Sequence, residues 1–459
     1  MKRQLVKKIG AAFLIVILFL AALIYVPIWD IAPPDVSDLA VVRTEVPPEE
    51  NAYICFLNAA SNMLYEPQGF VPSKYLRGQT NDDALVSAFI ATNQAAIAWV
   101  KLGVERPFCQ KPDIASAPDP MWTCRFFEIG YHLLATQARF ERIQGRMSEA
   151  TDATLLLIRY GSRLQQASEN MSDYPLANGV VNMGLTQATA LARDKRCGLA
   201  GRARLLAALA ELRFANQELA KSARGDYAVQ MELLEPTRSG RAYQIYADRL
   251  GVSKFKRTVV RLRVQFVYLP SYFMQYNRTR HLIAGDYRLL MAHAGTAYAD
   301  HPLGGSDTTG VLSGNTSQND GPSAKRGQTH RLRWPSANVL GLRIWRYQRK
   351  MLADKVRRAC GDECKLSAAR LLLACRAYEE ATGHLPETLQ ALVPDYLPAV
   401  PRDPFDGQPF RYSTERRIIY SVGEDLTDDG GTRGYEQGRR QRQKDLVFDL
   451  FTHEPEPQS

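Results

Sequence analysis

Between Gly423 and Gly431 the chain carries four acidic side chains (Glu424, Asp425, Asp428, Asp429), one hydroxyl (Thr427) and three glycines. A hard cation such as calcium takes about six to eight oxygen ligands on a turn flexible enough to wrap it. Asp425, Thr427, Asp429, Gly430 and Glu436 fall at positions 1, 3, 5, 6 and 12 of the calcium-loop spacing. Thr427 stands where Asp or Asn is usual, and a strand rather than a helix precedes the loop. The expected ligands of Ca2+ are Asp425, Thr427, Asp428, Asp429, Gly431 and Glu436, outside an EF-hand fold. The same residues also describe a solvated acidic turn whose glycines take positive φ, and spacing leaves both open.

A second cluster joins His293 and His301 to Asp300 and Asp307. It is the best enzyme-like grouping in the chain and would suit an envelope enzyme, a hydrolase for instance. Polar residues beside a loop are more often solvated than catalytic, so the expectation leans away from an enzyme and no catalytic residue is assigned. No His-Glu-x-x-His, Gly-x-Ser-x-Gly, P-loop or dinucleotide fingerprint stands in a fitting context. No organic cofactor is implied.

Of the seven cysteines, Cys360 and Cys364 are close enough to bridge, and Cys109 with Cys124 is the next plausible pair. Cys55 and Cys375 sit among apolar residues and read as core. The odd count leaves at least one free thiol, and connectivity stays open. Zinc at Cys360 and Cys364 lacks two further ligands at structural-site spacing.

The elements that must position these residues follow from patterning. From Ile9 to Trp29 the chain is uncharged, long enough for a transmembrane helix, with Tyr25 and Trp29 at its far end. Lys2, Arg3, Lys7 and Lys8 in the stub 1–8 place that end in the cytoplasm, so the bulk is extracytoplasmic. A cleaved signal peptide would have a shorter apolar core and a small-x-small site, whereas Ile24-Tyr25-Val26-Pro27 offers none. Residues 30–50 hold Pro33-Pro34 and Pro47-Pro48 and read as an extended linker holding the body off the bilayer.

Residues 51–302 are patterned as a helical domain. Val86, Ile90, Ile97 and Val100 form one apolar stripe, Cys124, Phe127, Tyr131 and Leu134 a second, and Leu205, Leu209 and Leu212 a third. Asn81-Asp82-Asp83 and Ser148-Glu149 look like helix starts. Residues 303–335, rich in Gly, Ser, Thr, Asn and Asp, read as a flexible loop, and 336–383 as helices leading into the tail. These are helices at about 338–358 and 365–382, the latter ending at Gly383. Lys254, Lys256, Arg257, Arg261 and Arg263 form a basic run before Phe266. It fits either anionic headgroups or an acidic polymer, or a helix whose cationic stems cover apolar neighbours, the second being favoured.

The tail 384–459 closes the pattern with a Pro-led helix at Pro386–Leu392, a turn at Asp403-Pro404-Phe405-Asp406-Gly407, and a hairpin of Phe410–Tyr412 with Ile418–Val422. A last strand is expected at Leu446–Phe448. Tyr378 to Pro386, Leu389 to Val393, Leu397-Pro398, Asp403 to Tyr412 and Tyr420 to Gly423, in that order, resemble the C-terminal domain of the type II secretion system protein G, the major pseudopilin. The resemblance covers about Ala368 to Glu436. It implies a small α+β module and calcium in the loop after the hairpin. Pseudopilins join the membrane helix directly to this domain, whereas more than 300 residues intervene here. Gly10 suits prepilin processing, but the fifth residue on is Ile15 rather than Glu, which speaks against assembly into a pseudopilus.

The expected protein is mainly α: a single-pass inner-membrane helix, a helical extracytoplasmic body (periplasmic if the cell is Gram-negative), and a small pseudopilin-like α+β module with an antiparallel sheet. A net charge of +10 favours anionic surroundings without naming a partner. The expected function is a membrane-anchored scaffold or binding protein stiffened by calcium. The alternatives are the envelope enzyme near His293 and His301, and an accessory of a secretion or pilus-like machine. The bilayer and other envelope proteins are the expected partners; nucleic acid is not, on grounds of location.

Overall fold

The computed structural model describes residues 30–41, 45–64, 70–80, 82–112, 120–170, 173–212, 215–238, 275–304, 338–434 and 444–451. The expected transmembrane helix 9–29, the basic run 254–263, most of the expected loop 303–335, Asp307 and Glu436 lie outside them. Among the described residues the protein is mainly helical with one three-stranded antiparallel sheet. It forms two compact units. The first holds Met1–Val41, Tyr227–Leu290 and Ser306–Asp354; the second holds Val42–Asp226, Met291–Gly305 and Lys355–Ser459. The units therefore do not follow the sequential division expected at 302 and 383: most of the helical body and the tail share the second unit.

In the second unit, α1 (Ala52–Asn62) is capped by Asn51, whose Oδ1 accepts from Tyr53 N at 3.1 Å. Helices α2 (Pro72–Leu76), α3 (Asp83–Thr92) and α4 (Gln94–Val104) follow. Asp82 caps α3 as expected, accepting from Leu85 N at 3.1 Å. The stripe Val86, Ile90, Ile97 and Val100 is buried, but it belongs to two helices bent by 60°. Asn93 makes the break: its buried amide bonds the backbone of Leu64 and Phe89. Among the described residues no single helix is long and apolar enough to cross a membrane. The bent pair α3–α4 has the composition, yet its apolar side chains belong to the core.

Next come α5 (Pro120–Glu128), a π-helical stretch at Ile129–Leu134, and α6 (Ala135–Ile143). Then α7 (Met147–Ala167) and α8 (Tyr174–Arg193) pack antiparallel. Their close approach requires glycine: a Cβ at Gly161 would lie 2.8 Å from Val181, and one at Gly184 2.6 Å from Ile158. Helix α7 begins at Met147 with no side-chain cap, so Ser148 does not cap it. Helix α9 (Gly198–Glu211) follows, and then α10 (Ala215–Arg238), whose residues from Tyr227 on belong to the first unit.

In the first unit, α11 (Tyr276–Ala292) and the start of α12 (Val339–Thr382) are pinned together. Asn338 Oδ1 accepts from Gln275 N at 2.9 Å and meets Thr279 Oγ1 at 3.2 Å. Trp345 Nε1 donates to Asp286 at 2.8 Å, and Arg349 pairs with the same carboxylate. Of the expected linker 30–50, the stretch from Asp30 to Asp38 lies along α11. Asp30 Oδ1 accepts from Arg278 N at 3.1 Å, and its other oxygen from Asn277 N. Arg288 donates to Asp35 O at 2.6 Å and to Asp38 at 2.8 Å, and Leu39 is buried.

The two helices expected at 338–358 and 365–382 are one, α12, because residues 359–364 stay helical despite Gly361. It ends at Thr382, and Gly383 takes φ +84° as the expected C′ residue. The expected helix at Pro386–Leu392 shrinks to a 3-10 turn, Leu389–Leu392. Strands β1 (Arg411–Ser413) and β2 (Ile418–Ser421) form the expected hairpin, and β3 (Leu446–Asp449) adds to β2.

Candidate functional site

The acidic loop leaves β2 through a 3-10 turn, Gly423–Asp425, and Leu426 takes φ +61°. Asp425 Oδ1 accepts from Thr427 N at 3.1 Å, and Asp428 Oδ1 from Gly430 N at 3.0 Å. Asp428 also faces Arg411 Nε at 3.5 Å, while Asp429 faces Lys444 Nζ at 3.3 Å. The loop closes around Asp445, which sequence reasoning had passed over. This buried carboxylate accepts from Gly431 N at 2.6 Å, Thr432 N at 3.2 Å and Asp429 N at 3.4 Å. Arg416 ties the outer turn by donating to the carbonyls of Gly430 and Gly431. The loop thus has the donor chemistry for calcium, but its carboxylates turn to different partners. Among the described residues no three His, Cys, Asp or Glu side chains converge.

Beneath the loop sits Asp403, fully buried at the head of the Asp-Pro-Phe turn. It accepts from Phe405 N at 3.0 Å, Val422 N at 3.0 Å and Ser421 Oγ at 2.9 Å, with Arg411 at 3.2 Å. Burial pushes its carboxyl up from the ordinary range, and the donors around it oppose that. Asp403 fixes turn, hairpin and loop to one another.

A cavity lies beside it. Arg357, Arg358, Gly361, Asp362 and Lys365 share one face of α12 opposite Leu446, Val447 and Phe448 of β3, with Phe405 also lining the space. The cleft encloses about 580 Å³, within the ~300–1,000 Å³ of small-ligand sites. Three of its cations are engaged: Arg357 with Glu424, Lys365 with Asp362 at 2.8 Å, and Arg433 with Asp449 at 2.6 Å. Asp362 is held from the other side by Asn178 and by Asn182, the latter at 2.9 Å. Arg358 is exposed and has no carboxylate partner among the described residues. A side chain at Gly361 would meet open space.

The strand side of the cleft is a sheet edge. Leu450 N donates to Arg417 O at 3.0 Å, which makes 417/450, 419/448 and 421/446 the bonded pairs of the β2–β3 register. The N–H and C=O of Val447 and Asp449 therefore point away from β2. Arg193 takes the Asp449 carbonyl, at 3.0 and 2.8 Å. Those of Val447, which lines the cleft, have no backbone partner among the described residues.

The structure brings the two histidines together. The rings of His293 and His301 lie 5.9 Å apart, edge to face. His301 is buried, and its Nδ1 accepts from Leu303 N at 3.0 Å. Burial, and then neighbouring His293, push its pKa down to about 4. Asp300 lies in the turn between them, its N–H bonded to Ala297 O at 3.0 Å. All seven cysteines are free thiols, so neither Cys360–Cys364 nor Cys109–Cys124 is bridged. Cys360 and Cys364 are both buried along α12, and Cys364 Sγ donates toward Ser421 Oγ at 3.5 Å. Cys124 alone is exposed.

No protein-family model, curated protein or solved structure matches the chain.

Proposed function

We propose that this chain is a non-catalytic, single-pass binding protein of the bacterial envelope. Residues 9–29 anchor it in the inner membrane, and its extracytoplasmic body presents the cleft between α12 and β3 to an envelope partner. The observation that carries the reading is the cleft itself. It pairs Arg358, a guanidinium with no carboxylate partner among the described residues, with the sheet edge at Val447, whose backbone has no partner among them, across apolar Phe405, Leu446 and Phe448. An extended acidic segment suits both walls: a backbone adds to a sheet edge, and a carboxylate meets arginine in a forked pair. The test pans a displayed random-peptide library on the full chain in lipid nanodiscs. Acidic extended sequences that lose affinity for the Arg358→Glu variant support the reading. No enrichment, or enrichment indifferent to Arg358, refutes it.

Calcium in the pseudopilin-like loop is the second reading, favoured by the acidic composition at the cleft rim. It requires the ion to displace Lys444 from Asp429 and Arg411 from Asp428. A ligand that binds only the native state raises stability by RT ln(1 + [L]/Kd). A calcium-dependent rise in Tm that the Asp425→Ala/Asp429→Ala variant loses supports this; no rise at millimolar calcium refutes it and leaves the cleft reading standing. The enzyme reading near His293 and His301 has less to stand on, since the pair is edge to face and His301 Nδ1 is already bonded.

A further inference from the structure

The first half of α12 carries an exposed face with its own composition. Arg343, Arg346, Tyr347, Lys350 and Met351 recur at i, i+3, i+4, i+7 and i+8, and all are exposed. The three cations have no carboxylate partner among the described residues. Between them Tyr347 is 63% exposed and Met351 39%. Cations alone describe any solvated helix; a bare aromatic ring and a thioether interleaved with them do not. Gln348 bonds Gln230 of the adjoining helix α10, where Val229 and Leu233 are also exposed. Basic residues around an apolar strip suit a helix lying at a bilayer surface.

The chain's path adds a second, independent reason. Asp30, the residue after the expected transmembrane segment, is bonded to the first N–H groups of α11. Asn338, at the start of α12, is bonded to Gln275 and Thr279 beside those same groups. The point where the chain leaves the bilayer thus coincides with the start of α12. At 1.5 Å per residue, Arg343 lies about 8 Å and Lys350 about 18 Å further along the helix.

We infer that this face of α12 rests on the anionic headgroups of the membrane that anchors the chain. The inference rests on the anchor reading, so anchoring is measured separately by resistance to alkaline extraction. The test uses the full chain in vesicles of phosphatidylcholine alone, or with phosphatidylglycerol added. A nitroxide is attached at residue 347 (Tyr347→Cys, in a Cys124→Ser background) and its relaxation by oxygen and by a water-soluble nickel complex is compared. A second preparation labels native Cys124 as the water-exposed reference. The expected result is a shift at 347 from nickel to oxygen accessibility only in the anionic vesicles. Each cation near such a surface contributes roughly a fivefold preference, so Arg343→Glu/Arg346→Glu/Lys350→Glu should abolish the shift. Equal accessibility in both lipids overturns the inference. So does protection that survives the triple reversal, or protection by soluble polyglutamate without any by vesicles. Extraction of the chain at high pH would overturn the anchor instead.

Discussion

Acidification should release the segment around His301 before the rest of the second unit unfolds. Tyr298 N and Ala299 N each donate at 2.8 Å to the carbonyls of Pro404 and Phe405, and the Tyr298 ring meets Phe405 at 5.7 Å. His301 anchors the following turn: its own carbonyl accepts from Gly304 N at 2.7 Å while its Nδ1 takes Leu303 N. Protonation at Nδ1 forfeits that last bond and places a cation in a buried site beside His293. The folded pKa of about 4 lies below the ordinary 6.5. The opened chain therefore takes up the proton first. This contribution to stability is complete above about pH 6.5, falls as pH drops, and is fully lost below about 4.

At about 1.4 kcal/mol per pKa unit, the difference between the two values amounts to about 3 kcal/mol, of which about 2 is lost by pH 5. That is a large part of the ~5–15 kcal/mol of a typical domain. The assay is the urea midpoint of wild type and His301→Gln from pH 7.5 down to 4.5, with hydrogen exchange at Tyr298 and Ala299. Other carboxylates also contribute to the slope, so the difference between the two proteins is the quantity read. Wild type should lose about 2 kcal/mol more than the variant between pH 7 and 5, with early exchange at both amides. Parallel pH dependence in the two proteins, or an NMR titration of His301 near 6.5, would refute the reasoning.

Asp403→Ala strips the fully buried carboxylate from five donors, Cys364 Sγ at 3.8 Å included, and should cost about 3 kcal/mol in chemical denaturation; a loss under 1 would deny it the central place in the tail. Glu380→Ala leaves Arg202, only 2% exposed, with carbonyl partners alone, and a similar loss of about 3 kcal/mol is expected. A Cβ at Gly225 would lie 1.8 Å from the carbonyl oxygen of Glu169, so Gly225→Ala should destabilise by about 2 kcal/mol, read as a fall in Tm. Maleimide should label the native chain once, at Cys124, and seven times when unfolded. A membrane-impermeant maleimide that fails to reach Cys124 from the extracytoplasmic side would refute the proposed topology.

What could be read from sequence is what short range determines. Alternation and turn residues located β1, β2 and β3 within a residue or two, and Gly383 marked the end of α12 because positive φ there favours glycine. Apolar spacing found the buried side of α3 and α4, but it could not see the bend at Asn93. The cause is an amide bonded to Leu64, 29 residues away. Prolines made residues 30–50 read as an extended spacer, and spacing could not show that its first residue, Asp30, bonds the N-terminus of a helix that begins 246 positions later.

The acidic loop shows the same limit at the candidate site. Its acids are neighbours in sequence and so resemble a ligand set, but the chain places each against a different partner: Arg411 from β1, Lys444 from the approach to β3, or a local N–H. The group that organises the loop, Asp445, lies 14 residues beyond Gly431 and carries no motif. Arg358 and Val447 are further apart still, and neither residue type signals binding until helix and edge strand stand on opposite sides of one cleft. The acidic residues drew attention to this end of the molecule for a local reason, their closeness in sequence. The cleft proposed to bind a partner is made instead by contacts between elements, α12 on one side and β3 on the other, and it does not depend on an ion in the loop.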